Sequence, residues 1–206
     1  MCRENKLLLP RKKKKNCSGF KIAENRKING PNQLWQFDIK YGYIHGENKF
    51  FYLLAFIDVF TREVISYYIG TTCKALDLTN TFAIAYDKLS FEEQAHLVIR
   101  SDRGPQMTSW MFKNYMATLP AQHELIPVHN PNRNAYIESF FSIFEIAFLQ
   151  VYKFETFSQA YAEVINFINF YNTRRLHGRI GYITPTELKQ NFDAGLVDSR
   201  DRVVQI

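Results

Sequence analysis

Cysteine is scarce in this sequence. Cys2, Cys17 and Cys73 are odd in number and far apart, with no CxxC pair and no nearby histidine pair. That pattern argues against a disulfide framework and against a structural zinc site, and three free thiols are the plainer reading. Long apolar runs are missing as well. No stretch approaches the roughly 18 consecutive apolar residues of a membrane span, and charge stands at the N-terminus where a secretory signal would place an apolar segment. Neither membrane insertion nor secretion is expected, and the expected setting is intracellular. Internal repeats are also lacking. What is present is a chain of 206 residues, 46% hydrophobic and 22% charged. It is long enough to bury a full core and is balanced like one globular domain.

Acidic residues are nearly absent from the N-terminal end. Residues 1–31 hold ten Lys and Arg against two Glu, a net +8, whereas residues 32–206 hold sixteen against eighteen acids, a net −2. The chain's basicity therefore belongs to an N-terminal arm, 1–31, set off from a domain over 32–206 by the turn signal Asn29-Gly30-Pro31. The arm's core, Arg11, Lys12, Lys13, Lys14 and Lys15, suits neutralisation of nucleic-acid phosphates with release of counterions. On charge alone a solvated tail is an equal reading. Aromatic residues make up 16% of the chain, and bases can stack on exposed rings. Most of these rings recur at strand or helix periods, so core packing is their default role.

From Leu34 to Ile44, Trp35, Phe37, Ile39 and Tyr41 alternate with Gln36, Asp38 and Lys40, as a strand requires. Phe50 to Phe60 and Glu63 to Ile69 are two further strand-like runs joined by Thr61-Arg62, which predicts an antiparallel meander. Helical spacing follows over 75–89, then a short buried strand from Leu97 to Ile99 that ends at Ser101-Asp102, and a helix over 106–119. A fifth strand is expected over Leu125 to Val128, confined to an edge by Pro127. From Asn134, Ile137, Phe140, Phe141, Phe144 and Phe148 share one helical face with Glu138 at its margin. Another helix is expected near 157–172, and Pro185 opens or borders a short final one. This order predicts an α/β domain on a mixed sheet.

Three carboxylates occupy separate local contexts: Asp38 inside LWQFDIKY, Asp102 at the end of LVIRSDRG, and Glu138 within NAYIESFF. Asp38 is the one acid of its strand, Asp102 leads from a buried strand into a Gly-containing turn, and a helix can project Glu138 towards the sheet. The last two are separated by 35 residues, so they meet only if the chain folds back. Hard carboxylate oxygens suit Mg²⁺ or Mn²⁺, and two such ions stabilise the attacking and leaving oxygens of an in-line phosphoryl displacement. The plainer reading of any one of them is a solvated or capping acid. Asp58, in FIDVFTR, is the nearest rival, with a structural role at its strand end preferred. His45, His96, His123 and His129 show no ligand spacing and read as structural or surface histidines. Asn134 and Ser139 flank the glutamate and could orient it or touch DNA, although capping and exposure account for them more simply. Arg174, Arg175 and His177 could contact DNA phosphates or serve surface pairing equally well.

At PNQLWQFDIKY, FIDVFTREVISYYI, SDRGPQMTS, NAYIESFF and YNTRRLHGRIGYITPTEL, the sequence resembles the catalytic core of bacterial insertion-sequence transposases of the retroviral-integrase-like, Asp-Asp-Glu class. The resemblance runs from about residue 5 to 190. It implies an RNase H-like fold with a five-stranded mixed sheet and flanking helices, and a C-terminal helical tail. It also implies a site of Asp38, Asp102 and Glu138 holding two Mg²⁺ ions, cleavage of an element's ends and transfer of the freed 3′ hydroxyls to double-stranded DNA. A homo-oligomer on DNA, in the bacterial cytoplasm at the nucleoid, is the setting it implies. Two departures stand out. The family usually carries a helix-turn-helix region ahead of the basic stretch, and it tends to place Lys or Arg two helical turns after the glutamate, where this sequence has Glu145. The first of these motivates an alternative reading, a truncated or domesticated DNA-binding module without productive recombination. A nuclease that hydrolyses without strand transfer is a third.

Overall fold

The computed structural model describes residues 21–127, 131–197 and 203–205. Arg11 to Lys15 of the arm and His129 lie outside them. The chain runs through β1 (Lys21–Ile22), β2 (Lys27–Ile28), β3 (Leu34–Ile44), β4 (Lys49–Asp58), β5 (Val64–Gly70), α1 (Ala75–Tyr86), α2 (Phe91–His96), β6 (Val98–Ser101), α3 (Trp110–Ala117) and β7 (Gln122–Leu125). It continues through α4 (Ala135–Phe144), α5 (Phe157–Thr173), α6 (Pro185–Asp193) and β8 (Val204–Gln205). No helix among the described residues is long and apolar enough to cross a membrane.

The main sheet is mixed, with strand order β1-β7-β6-β3-β4-β5. Strands β3, β4 and β5 form the expected antiparallel meander, while β6 and β7 add in parallel on the other side of β3. Asp58 closes the second turn of the meander: its buried carboxylate accepts hydrogen bonds from the Thr61 amide (2.7 Å), the Thr61 hydroxyl (2.9 Å) and the Asn32 amide (2.8 Å). That is an Asx-type structural role.

Alternation along β3 sends its two sets of side chains to opposite layers. Trp35 and Phe37 join Leu54, Phe56, Leu78, Phe82 and Phe112 beneath α1 and α3. On the other face, Leu53, Ala55 and Ile57 of β4 meet Ile137, Phe140 and Phe144 of α4 and Val164, Phe167 and Tyr171 of α5. Each fully buried Val, Leu, Ile or Phe among them contributes about 1.5–3 kcal/mol of transfer free energy.

The sheet has six strands where five were expected. The additional one, β1, comes from the stretch grouped with the arm and pairs in parallel with β7, Lys21 opposite Glu124. The fifth expected strand forms at Gln122–Leu125 rather than 125–128, and between β6 and β1 rather than at an edge. Pro127 lies beyond it and removes no ladder donor. Its polar residues hid it from a periodicity reading, because Glu124 is buried by pairing with Arg100 and not by being apolar. The helix expected over 75–89 ends at Tyr86, and Ser90 opens the separate α2 by accepting from the Glu93 amide. Likewise the helix expected over 106–119 starts only at Trp110, because the Ser109 hydroxyl accepts from the Phe112 amide and caps it there.

Candidate active site beside β3, β6 and α4

Asp38 projects from the α4 side of β3, half-buried, and its Oδ1 accepts the Ile39 amide at 2.7 Å. Burial pushes its carboxyl up to about 7, with the negative charges of Asp102 and Glu138 adding to the rise, while the Ile39 amide and the Lys40 ammonium oppose it. Asp38 therefore feels both of the other predicted acids.

Asp102 follows the last residue of β6. Its Oδ1 accepts the Gly104 amide at 2.9 Å, and a Cβ at position 104 would stand 3.1 Å from that oxygen. The preceding Ser101 hydroxyl donates to the Asp102 carbonyl and meets His123 Nε2, both at 2.9 Å. Burial against Phe37 and Phe112 pulls His123 down to about 3, so its ring is neutral and structural. Glu138 stands in the first turn of α4, largely exposed, with its carboxyl raised by partial burial.

Asp38, Lys40, Glu138, Ser142 and Glu145 line a groove of about 500 Å³. Lys40 pairs with Glu145 at 2.8 Å, so the cation in this groove comes from β3. Helix α4 continues there into a π-helical segment, Glu145–Leu149, a feature frequent at functional sites. Asp102 approaches Asp38 from β6 and does not line the groove. Among the described residues, no three His, Cys, Asp or Glu side chains come together closely enough to enclose a metal ion. The donor set itself, oxygen only and anionic, fits a hard divalent cation.

The arrangement also contains residues that the sequence reading passed over. Gln36, fully buried two residues before Asp38, accepts the Tyr136 and Ile137 amides on Oε1 at 2.9 and 3.3 Å. Its Nε2 donates to the Arg133 carbonyl at 2.9 Å. Arg100, two residues before Asp102, is likewise buried and pairs with Glu124 at 2.9 Å. The available signal was strand alternation for Gln36, which shares a face with Asp38, and for both residues the need of a buried polar group for partners. Asn134 occupies the N-cap position of α4 but makes no side-chain cap bond, and Ser139 is exposed.

Arg174, Arg175 and His177 follow α5 and none of them lines the groove of Asp38 and Glu138. Arg174 is exposed. His177 pairs through its backbone with Ile183, and its ring packs edge-on to Tyr171 at 4.8 Å. Burial, with the Arg175 charge adding, pulls His177 down to about 4, so it is uncharged at neutral pH. It lines a separate cavity of about 700 Å³ with Arg62, Tyr136, Ser139 and Arg179.

The chain is 28% identical over 165 residues to the transposase for insertion sequence element IS904 of Lactococcus lactis, covering 80% of this chain and 64% of the relative. The chain thus spans less than two thirds of that relative's length. Among solved structures, the simian T-cell lymphotropic virus intasome in complex with PP2A regulatory subunit B56 gamma aligns with a TM-score of 0.64 at 18% identity, over 82% of this chain and 58% of the other. The HTLV-2 integrase catalytic core domain in complex with magnesium, in a trimeric form, aligns at 0.54 and 15% identity, over 78% and 97%. These likenesses establish the RNase H-like fold. The model of the integrase core domain matches residues 28–131 and a second model of the same domain matches 120–185; the chain, with its acids on β3, after β6 and on α4, belongs to the integrase core domain family.

Proposed function

We propose that this chain is the catalytic core of a DNA transposase, a metal-dependent polynucleotidyl transferase that cleaves the ends of an insertion element and joins them to target DNA. The observation that carries the reading is the placement of Asp38 on β3, Asp102 after β6 and Glu138 on α4 of an integrase-type core, with the charges of Asp102 and Glu138 adding to the burial that raises the Asp38 carboxyl to about 7. A carboxyl of that kind exchanges its proton for a cation close to neutral pH. The solved HTLV-2 relative is a magnesium complex, and here Asp38, Asp102 and Glu138 would hold two Mg²⁺, or Mn²⁺, between them. Such ions, when bound, offset charge on the attacking and leaving oxygens of a phosphodiester.

In cleavage, a water oxygen attacks the phosphorus at the element's end. The bond from that phosphorus to the 3′ oxygen breaks, and the oxygen takes up a proton to become a 3′ hydroxyl. In joining, this hydroxyl oxygen attacks a target phosphorus and gives up its proton, and the target's own 3′ oxygen leaves and is protonated. One phosphodiester replaces another, so joining needs no nucleotide cofactor. Asp38, Asp102 and Glu138 would hold the ions, and the strand and helix that carry Asp38 and Glu138 would orient those acids.

The partner is double-stranded DNA, bound by more than one copy of the chain in the bacterial cytoplasm at the nucleoid. Arg11 to Lys15, in the arm over 1–31, and Arg174 and Arg175 supply phosphate contacts, and the neutral His177 contributes as a hydrogen-bonding group. Contacts of this type position DNA without reading its sequence. Neutralising Arg11 to Lys15 should therefore flatten the dependence of DNA affinity on salt, by about 0.9 in log–log slope for each phosphate that the arm no longer neutralises. An unchanged slope takes the arm out of the interface.

The test of the main reading is incubation with pre-cleaved and uncleaved DNA ends and Mg²⁺, followed by separation of products. Joined strands from the pre-cleaved ends are expected. Nicks without joining would mark a hydrolytic nuclease, and binding without either product a DNA-binding module.

A further inference from the structure

We propose that Gln36 and Arg100 are positioning residues that set Glu138 against Asp38 and Asp102 by gripping one backbone carbonyl, that of Arg133. The inference rests on the reading of these three acids as a metal site. Gln36 and Arg100 are register partners across the parallel β3–β6 pair. Gln36 stands two residues before Asp38 on β3, and therefore on the same face as that acid, and Arg100 stands on β6 two residues before Asp102, which follows the strand's last residue. Gln36 Nε2 donates to the Arg133 carbonyl at 2.9 Å, and Arg100 Nη1 donates to the same oxygen at 3.4 Å. Arg133 lies in the turn Pro131–Asn134 that leads into α4, five residues before Glu138. One acceptor thus ties together the two strands and the helix that carry the acids.

The grip extends into the helix. The first amides of an α-helix have no partner within it and are normally satisfied by an N-cap side chain. Asn134, at that position, makes no such bond. Gln36 Oε1 replaces it, accepting the Tyr136 amide at 2.9 Å and the Ile137 amide at 3.3 Å. The strand that bears Asp38 therefore caps the helix that bears Glu138, one residue short of the glutamate itself.

Arg100 is held in turn. Glu124 on β7 takes its Nη2 at 2.9 Å and its Nε at 3.2 Å, and the Glu24 carbonyl takes Nη2 at 2.8 Å. Arg26 pairs with the other oxygen of Glu124, and the Arg133 guanidinium reaches back to the Ala23 carbonyl. Gln36, Arg100 and Glu124 are each fully buried. Apolar residues of similar volume would fill this space at no loss of burial, whereas hydrogen bonds specify distance and direction. Such directional support limits how far the elements that carry three mutually repelling carboxylates can drift apart.

The experiment compares the full chain with Gln36→Met, which keeps the volume and removes all three bonds, and with Val164→Ala, a core change in α5 away from the network. Two quantities are read on metal-free protein that is folded by circular dichroism: Mn²⁺ affinity by calorimetric titration, and exchange of the Tyr136 and Ile137 amides by NMR. Gln36→Met should weaken Mn²⁺ binding at least tenfold, the usual scale for residues that orient metal ligands, and speed exchange of both amides. Val164→Ala should melt earlier yet bind Mn²⁺ like the wild type, which a purely structural role for Gln36 would not separate. Should Gln36→Met fail to fold, Gln36→Asn keeps the carboxamide but draws it out of reach, and the same loss is expected. Mn²⁺ affinity within twofold of wild type in either folded variant overturns the inference. A wild type that takes up no Mn²⁺ overturns the metal reading instead, and the inference falls with it; the two failures are told apart by the wild-type titration alone.

Discussion

On the side of the sheet covered by α1 and α3, the interior is apolar and aromatic: Phe37 stacks on Phe56 at 4.6 Å, Phe112 meets Phe37 edge-on at 5.9 Å, and Phe82 packs between Trp35 and Tyr86. On the side covered by α4 and α5, a comparable aromatic cluster of Phe140, Phe144, Phe148 and Phe167 is joined by a buried polar row of Gln36, Arg100 and Glu124 across three adjacent strands. Apolar contact is non-directional and roughly proportional to area, so it holds two layers together while leaving their register soft. Hydrogen bonds between buried polar groups fix it. The polar row lies on the face of the sheet that carries Asp38 and packs against α4, the helix of Glu138.

The largest effect should come from the acids. Asp38→Asn, Asp102→Asn or Glu138→Gln each should abolish strand joining while circular dichroism and melting stay close to wild type, because removal of one charged ligand dismantles the metal site without touching either core. Full joining activity in any one of them excludes that residue.

The polar row comes next. Glu124→Leu strands Arg100 without its carboxylate in the interior and should cost about 3–5 kcal/mol in a denaturant titration. Adding Arg100→Met to Glu124→Leu should recover part of that loss, since the uncompensated charge is gone. A double variant less stable than Glu124→Leu would mean that the row contributes net stability as well as register.

The apolar face offers a test through its one buried imidazole. Burial holds His123 at about 3, against an ordinary value of 6.5. Below 6.5 the unfolded chain takes up a proton that the folded one refuses until about 3, so stability is lost as pH falls through this window. Replacing His123 by Gln should flatten the acid limb by about 1.4 kcal/mol per pH unit. An acid limb of unchanged slope would show that other groups control acid unfolding.

The smallest effect belongs to the rim. Lys40 and Glu145 are each about one-third exposed, and Lys40→Ala should change stability by no more than about 1 kcal/mol, less at high salt. A larger loss, insensitive to salt, would show that this pair behaves like the buried row.

Much of this architecture is legible in local patterns. Alternation in Leu34 to Ile44 predicts both β3 and the face that Asp38 occupies, and the 3.6-residue recurrence of Ile137, Phe140, Phe141 and Phe144 predicts α4 with Glu138 at its margin. The meander follows from three apolar runs and two short connections. Strands β1 and β7 escape such a reading, because two residues carry no period and because Gln122, His123 and Glu124 look like a polar loop. The starts of α2 and α3 depended on the Ser90 and Ser109 caps, which apolar spacing does not register.

The sequence by itself determined the layer each strand and helix faces, since side-chain direction is a property of a few neighbouring residues and repeats with the backbone. The approach of the acids was decided by tertiary structure alone. Gln36 caps α4 across 100 positions of sequence, and Arg100 meets the Arg133 carbonyl across 33. No local period encodes a partner at that distance; it exists only once the strands have paired and the helix has docked, and the same docking raises the Asp38 carboxyl by bringing burial and two like charges to it.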